Sequence, residues 1–141
     1  MSGYLLLDDS RFFGVTWCLI ARGSSMAGTH LSIRIDLSNG DRIGPGKVAL
    51  LEAIRAKGSI SGAARSLGMS YRRAWLLVEE INKALAKPAV VAEMGGRSGG
   101  GASVTPAGEK IVDLYRSIES RTRKTSRGEF RAMAKLVRAG K

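Results

Sequence analysis

Arg72 and Arg73 are the residues of this 141-residue chain whose type and position point most directly to recognition chemistry. They stand side by side at the start of a predicted helix, just after Ser70, whose hydroxyl is a suitable N-cap. An arginine paired with a guanine edge is the commonest specific contact between a protein and duplex DNA. The two arginines therefore predict a helix whose first turn reads bases in the major groove.

The neighbouring residues indicate how this turn is held in place. Ser59 is predicted to cap a short helix in which Ile60, Ala64 and Leu67 form one apolar stripe. Gly68 follows at the position where a helix end favours a left-handed residue. Two helices joined by so short a turn predict a helix-turn-helix.

The second of these helices has an apolar and a polar face. The residues predicted to be buried are Ala74, Val78, Ile81 and Leu85, and those predicted to face outward are Arg72, Arg73, Leu76, Glu80 and Lys83. Tyr71 and Trp75 flank the apolar face, and both rings are expected in the core. The hydroxyl of Tyr71 is expected to reach the DNA backbone.

The glycine-rich run Gly95–Gly101 lies between two predicted strands, Val90–Met94 and Ala102–Thr105, and so predicts a hairpin. Gly95 and Gly100 have the separation of a Walker loop. Gly101-Ala102 stands where that loop needs a lysine and a hydroxyl residue, so nucleotide binding is not expected. A hairpin beside a helix-turn-helix predicts a wing, and a hairpin without any DNA contact is the alternative.

Several further residues are predicted to contact DNA. Arg97 in the wing is expected to enter a minor groove or to pair with a phosphate, with Ser98 beside it. Serines at helix starts are expected to position phosphates together with backbone amides. The complete set of predicted DNA-contact residues is Ser59, Ser61, Ser70, Tyr71, Arg72, Arg73, Arg97 and Ser98.

A further helix is predicted after Thr105-Pro106, which reads as an N-cap followed by proline at the first helical position. Its apolar stripe consists of Ile111, Leu114, Tyr115 and Ile118. A domain of this size has little core left to cover such a stripe, so a second subunit is the expected cover and a homodimer is predicted. Packing against the predicted strand Leu31–Leu37 is the alternative.

The sequence that carries these features reads GSISGAARSLGMSYRRAWLLVEEIN and, further on, GGRSGGGASVTPAGEKIVDLYR. It resembles the N-terminal DNA-binding domain of the ModE family of molybdate-responsive bacterial transcription regulators, over roughly Leu31 to Glu119. The SISGAA, SYRRAW and GGRSGGGA stretches are specific when taken together. The helix-turn-helix alone indicates only the broader LysR-like winged class.

The resemblance implies a winged helix-turn-helix dimer on a palindromic operator upstream of molybdate-uptake genes. It also implies a C-terminal pair of small β-barrel domains that bind molybdate. The chain ends at Lys141 and has no room for those barrels, so no molybdate sensing by this chain itself is expected.

Composition agrees with a polyanion partner. Lys and Arg number 23 against 12 Asp and Glu, a net charge of +11, and residues 1–30 contribute none of the excess. One cysteine, Cys18, excludes an internal disulfide, and one histidine, His30, leaves no usual zinc-ligand set. No cofactor, membrane span or signal peptide is predicted, and the expected location is the cytoplasm.

The predicted domain organisation has three parts. Residues 1–30 form an extension, for which either a translation start at Met26 or loose order over residues 1–25 is expected, with an extra dimer strand as the alternative. Residues 31–119 form the winged helix-turn-helix, which includes a helix from Pro45 to Lys57 with Val48, Leu51 and Ile54 inward. Residues 120–141 form a basic helical tail.

Lys47 is predicted either to meet a phosphate or to be solvated.

The sequence thus predicts a mainly α fold with a small β-hairpin wing and a C-terminal dimerisation helix. The predicted function is a transcription regulator that binds double-stranded DNA as a homodimer. The alternative is an interaction module that pairs with a longer ModE-like paralogue and modulates it. An enzyme is not expected, because no nucleophile–base pair, metal cluster or paired carboxylates are apparent. Single-stranded RNA recognition is disfavoured by the lack of aromatic residues on an exposed sheet.

Overall fold

The computed structural model describes residues 29–94 and 100–138. In this part of the chain the elements, in order, are β1 (Ile35–Asp36), β2 (Arg42–Ile43), α1 (Pro45–Lys57), α2 (Ile60–Ser66), α3 (Tyr71–Ala84), β3 (Val90–Glu93), β4 (Gly101–Val104), α4 (Pro106–Thr125) and α5 (Arg127–Leu136). The architecture is mainly helical with a β-hairpin, as predicted, and it has a second small antiparallel sheet, β1 with β2, that goes beyond the prediction. Arg97, Ser98 and most of the predicted N-terminal extension lie outside the described residues.

The first strand is shorter than predicted. The expected strand Leu31–Leu37 is reduced to Ile35–Asp36, which pairs with β2 in the register Ile35↔Ile43. The turn between the strands is closed by a hydrogen bond from the Leu37 amide to the Asp41 carbonyl, at 2.7 Å. The ladder is short because β2 ends at Ile43, just before Pro45 begins α1.

Helix α1 is the centre of the core. Pro45 is its first residue and Val48, Leu51 and Ile54 are fully buried, as predicted. The apolar cluster around it also takes in residues of α2, α3, α4 and both sheets. Both predictions for Lys47 were wrong: its ammonium donates to the Arg42 carbonyl at 2.9 Å and lies 3.1 Å from a Glu80 carboxylate oxygen. This ion pair, between the buried Lys47 and the exposed Glu80, joins α1 to α3.

Helix α4 begins as predicted, because the Thr105 hydroxyl accepts a hydrogen bond from the Gly108 amide. It continues to Thr125, across the predicted domain boundary at residue 119. Helix α5 follows after a break at Ser126 and buries none of its residues in the described structure.

Tyr115 requires a correction to the predicted dimer stripe. Its side chain is 2% exposed, and its hydroxyl donates to the Ile33 carbonyl at 2.7 Å, so it belongs to the core of its own chain. Burial raises the pKa of Tyr115, and the nearby negative charge of Glu119 adds to the increase. Ile111 is half-buried against the same core, which leaves Leu114 and Ile118 as the exposed part of the stripe.

An arginine on α4 connects this helix to α1. The guanidinium of Arg116 donates to both carboxylate oxygens of Glu52, at 2.8 and 2.7 Å, and to Glu119 at 2.8 Å. The hydrogen bonds to Glu52 raise the pKa of Arg116 above its already high usual value. A second pair, Arg55 with Glu109 at 2.8 Å, joins the same two helices about one turn further along α1.

We predict that Arg116→Ala lowers the free energy of unfolding by about 3 kcal/mol, because it leaves the largely buried Glu52 without its cation and the buried Glu119 with only the exposed Arg123. Arg123→Ala is the matched control: this residue is on the same helix and lies 3.8 Å from Glu119, but its side chain is 52% exposed. Its loss is expected to cost less than about 1 kcal/mol. Urea denaturation followed by circular dichroism measures the free energy of unfolding of both variants, and equal costs would contradict the role assigned to Arg116.

Candidate nucleic-acid interface

The segment from Ser59 to Ser70 sets the start of α3. The Ser59 hydroxyl accepts from the Gly62 amide at 3.0 Å, and the Ser70 hydroxyl accepts from the Arg73 amide at 3.2 Å, so both predicted N-caps are confirmed. Between the helices Gly68 adopts a φ of 65°, which a side chain would disfavour. The turn is therefore fixed by residues that the sequence identifies.

The inward face of α3 is as predicted for three residues. Ala74, Val78 and Ile81 are buried, while Leu85 lies just past the end of the helix and is half-buried. The core assignments for the two aromatic residues were wrong, because Tyr71 is 56% and Trp75 is 42% exposed.

The exposure of the aromatic residues follows from their position on α3. Tyr71 precedes Ala74, the first buried residue of the helix. Trp75 lies about 100° around the helix axis from Ala74, at the margin of the buried face. Both rings therefore border the outward surface.

The outward face of α3 carries the predicted residues, and all are exposed: Arg72, Arg73, Leu76, Glu80 and Lys83. Lys83 lies 3.8 Å from Glu79, and Glu80 holds the buried Lys47. Arg72 and Arg73 form no salt bridge with another described residue. The first turn of α3 is therefore a positively charged end whose guanidinium groups face outward.

The second sheet is the predicted hairpin. Strands β3 and β4 pair antiparallel, with Val90 opposite Val104 and Glu93 opposite Gly101. The Ala102 amide donates to the Gly58 carbonyl at 2.9 Å, so β4 lies against the junction between α1 and α2. Ser59 directly follows Gly58 and the exposed Ser61 comes two residues later, so both serines lie near the start of β4. Ser70, Arg72 and Arg73 form a second group beyond the other end of α2.

Sequence reasoning missed Asn82, which fixes the hairpin to α3. Its side-chain oxygen accepts from the amides of Ala89 and Val90 at 2.8 and 3.1 Å, and its side-chain nitrogen donates to the Val90 carbonyl at 3.0 Å. The sequence carried a signal for this role, because Asn82 is a polar residue that directly follows the buried Ile81 and lies four residues after the buried Val78. A polar group at the edge of a buried face needs partners, and here they are backbone atoms.

Across the described ranges 29–94 and 100–138, no three His, Cys, Asp or Glu side chains come close enough to hold a metal ion. In the same ranges no helix is both long and apolar enough to cross a membrane.

Comparison with known proteins finds transcription regulators and molybdenum-binding proteins. The chain is 53% identical over 81 residues to the molybdenum-pterin-binding protein MopB of Rhodobacter capsulatus, a match that covers 57% of the chain and 30% of MopB. It is 38% identical over 96 residues to the molybdenum transport protein ModE of Azotobacter vinelandii, covering 67% of the chain and 36% of that protein.

A third relative is the DNA-binding transcriptional dual regulator ModE of Escherichia coli, 38% identical over 71 residues, which covers 50% of the chain and 27% of the regulator. The chain therefore spans about a third of the length of the curated relatives it matches. No protein-family model matches the chain. The names of these relatives support the resemblance to the ModE family.

We predict that Asn82→Ala lowers the free energy of unfolding by about 2 kcal/mol, because two backbone amides and one carbonyl lose a part-buried partner. Asn39→Ala is the matched control, since Asn39 also binds backbone atoms, at Ala84 and Asp41, but is exposed. Its cost should stay below about 0.5 kcal/mol. Amide hydrogen exchange gives a local measure: Ala89 and Val90 should exchange faster in Asn82→Ala, and unchanged rates would contradict the assignment.

Proposed function

We propose that this chain is a ModE-type transcription regulator that binds double-stranded DNA through a winged helix-turn-helix. The observation that carries the proposal is the exposed first turn of α3, where Arg72 and Arg73 lie on a helix anchored by three buried residues. The order α2, turn, α3, hairpin fits that class of domain. The names of the ModE relatives support the same function.

In the proposed complex the first turn of α3 enters the major groove. Arg72 and Arg73 reach base edges, while Ser70 and the free amides at the start of α3 contact a phosphate. Ser59 and Ser61, at the start of α2, contact the DNA backbone beside the hairpin. Tyr71 is included among the contacts through its hydroxyl and, because it is exposed, also through its ring.

The hairpin serves as the wing in this proposal. The backbone hydrogen bond between Ala102 and Gly58 places β4 beside the start of α2. Arg97 and Ser98, which lie outside the described residues, are proposed to contact a minor groove or a phosphate. A regulator of this kind acts in the cytoplasm.

The proposed assembly is a homodimer on a palindromic operator. One recognition helix reads too few base pairs to find a single site among the many competing sites of a genome, and a two-fold dimer doubles the contacts. Leu114 and Ile118 are 49% and 43% exposed on α4. Helix α5 adds the exposed apolar residues Met133 and Leu136. These side chains supply the proposed subunit interface.

The regulated genes are proposed to concern molybdate transport or metabolism. The support is the pair of names among the relatives, a molybdenum transport protein ModE and a molybdenum-pterin-binding protein. Whether genes of molybdate uptake lie beside this one is the observation that tests the pathway independently of DNA binding.

We predict sequence-specific and salt-sensitive binding. Repeated selection from random duplexes with the full chain should yield one palindromic consensus. If the protein neutralises six or more phosphates, its affinity for this consensus should fall on the order of a thousandfold between 50 and 200 mM salt. Arg72→Ala or Arg73→Ala should cost about 1–3 kcal/mol and relax base preference at one position. Fluorescence anisotropy on labelled duplexes measures each value.

The matched control for these variants is Arg34→Ala. Arg34 is an exposed arginine just before β1. The turn that follows β1 contacts the C-terminal end of α3, where the Asn39 side chain donates to the Ala84 carbonyl. Arg34 therefore lies near the end of α3 opposite to Arg72 and Arg73. Its replacement should change affinity by less than about twofold. Loss of affinity in Arg72→Ala and Arg73→Ala without any change in base preference would assign both arginines to phosphates. The absence of any selected consensus would refute the proposed function.

We predict that the double variant Leu114→Glu, Ile118→Glu is a folded monomer that binds the full operator far more weakly. Both side chains are exposed, so their replacement leaves the core intact, while four like charges would meet across the interface. Sedimentation velocity at micromolar protein gives the subunit number, and circular dichroism checks the fold. A monomeric unmodified chain, both free and on DNA, would contradict the homodimer and favour pairing with a longer paralogue.

A further inference from the structure

Large exposed apolar side chains in the described part of the chain occur at three places: the start of α3, the strand β3 with Met94, and helices α4 and α5. The group on α3 consists of Tyr71, Trp75 and Leu76, and Leu76 is 45% exposed. The fold does not use Leu76, since it is absent from the core and from the residues packed against it. The arginine contacts proposed above do not use it either.

Leu76 lies on the same outward surface as the two arginines. It follows Arg72 by four residues and Arg73 by three, the spacings at which helical residues are surface neighbours. Viewed along the helix axis at about 100° per residue, Leu76 lies between the two arginines, whereas Trp75 and Tyr71 lie about 110° and 150° from their midpoint. A helix that presents the arginines to base edges therefore presents Leu76 as well.

The helix rise sets how far apart these contacts fall on the DNA. Three or four residues correspond to about 4.5–6 Å along α3. Successive base pairs are about 3.4 Å apart. Leu76 therefore lies one or two base pairs from the position read by an arginine.

The chemistry of the groove identifies the base. Leucine has no hydrogen-bonding group, and the C5-methyl of thymine is the apolar group that base pairs display in the major groove. We propose that Leu76 is a specificity-determining residue that reads a thymine methyl within about two base pairs of the position read by Arg72 or Arg73. The inference rests on the proposed function, because it requires α3 to lie in the major groove.

Deoxyuridine substitution tests this contact, because deoxyuridine differs from thymidine only by the missing methyl group. Each thymine of the selected operator is replaced in turn, in both half-sites, and affinity is measured by fluorescence anisotropy with the full chain. We expect one position, within two base pairs of the one relaxed in Arg72→Ala or Arg73→Ala, to lose about fourfold per methyl group, which corresponds to about 0.8 kcal/mol.

The variant Leu76→Ala, combined with the deoxyuridine substitution, completes a double-mutant cycle between the leucine side chain and the thymine methyl group. It should bind the thymine operator more weakly than the unmodified chain does, and it should no longer distinguish thymine from deoxyuridine at that position. Arg34→Ala is the control, because it shortens an exposed side chain just before β1, outside the proposed DNA contacts and the proposed subunit interface. This control should keep the full sensitivity to deoxyuridine.

Each outcome decides the inference. Loss of the deoxyuridine effect in Leu76→Ala alone supports it. An effect that persists in Leu76→Ala assigns the methyl contact to another side chain and overturns it. A consensus without thymine near the arginine positions, or no effect at any thymine, also overturns it while leaving sequence-specific binding intact. Absence of sequence-specific binding overturns the proposed function as well.

Discussion

The side chain of Asn82 connects the three elements on which the candidate interface depends. Its amide group binds Ala89 and Val90 and so fixes the start of the hairpin to α3. The Ala89 carbonyl in turn accepts from the Thr105 amide, and the Thr105 hydroxyl donates to the Pro88 carbonyl and caps α4. One asparagine therefore links α3, both ends of the hairpin and the first turn of α4 through continuous hydrogen bonds.

Close packing also holds the first turn of α4 against the hairpin. A Cβ atom added to Gly108, in the first turn of α4, would collide with the Ala89 carbonyl and the Val104 side chain. The helix can approach the base of the hairpin only because glycine occupies this position. Further along α4, the bidentate contact between Arg116 and Glu52 holds the helix against α1. Hydrogen bonds, close packing and charge thus all contribute to the relative placement of hairpin and helices.

Most of the fold was predictable from the sequence because its signals are local. Ser59, Ser70 and Thr105 cap helices through their own next turns, and Gly68 marks the bend between two of them. The pattern of apolar residues shows which side of a helix faces the core. It does not show how far the neighbouring elements extend over that side.

Two of the three aromatic misassignments show this limit. Trp75 was assigned to the core and is exposed, whereas Tyr115 was assigned to a subunit interface and is buried beneath the segment that contains Ile33. Lys47, Asn82 and Arg116 were missed or misread because each binds a partner distant in sequence or a backbone atom, and spacing reveals neither. The DNA contacts themselves stay predictions.

The chain separates its charges into two populations with different responses to ionic strength. Lys47 and Arg116 hold carboxylates with side chains only 11% and 29% exposed, while Arg72 and Arg73 face solvent. Salt at about 1 M reduces the Debye length to roughly 3 Å, which suppresses surface attraction but reaches partly buried pairs far less. A concentrated salt wash should therefore strip any polyanion held by the exposed arginines while the fold persists, so that clean, native material is obtained without denaturant.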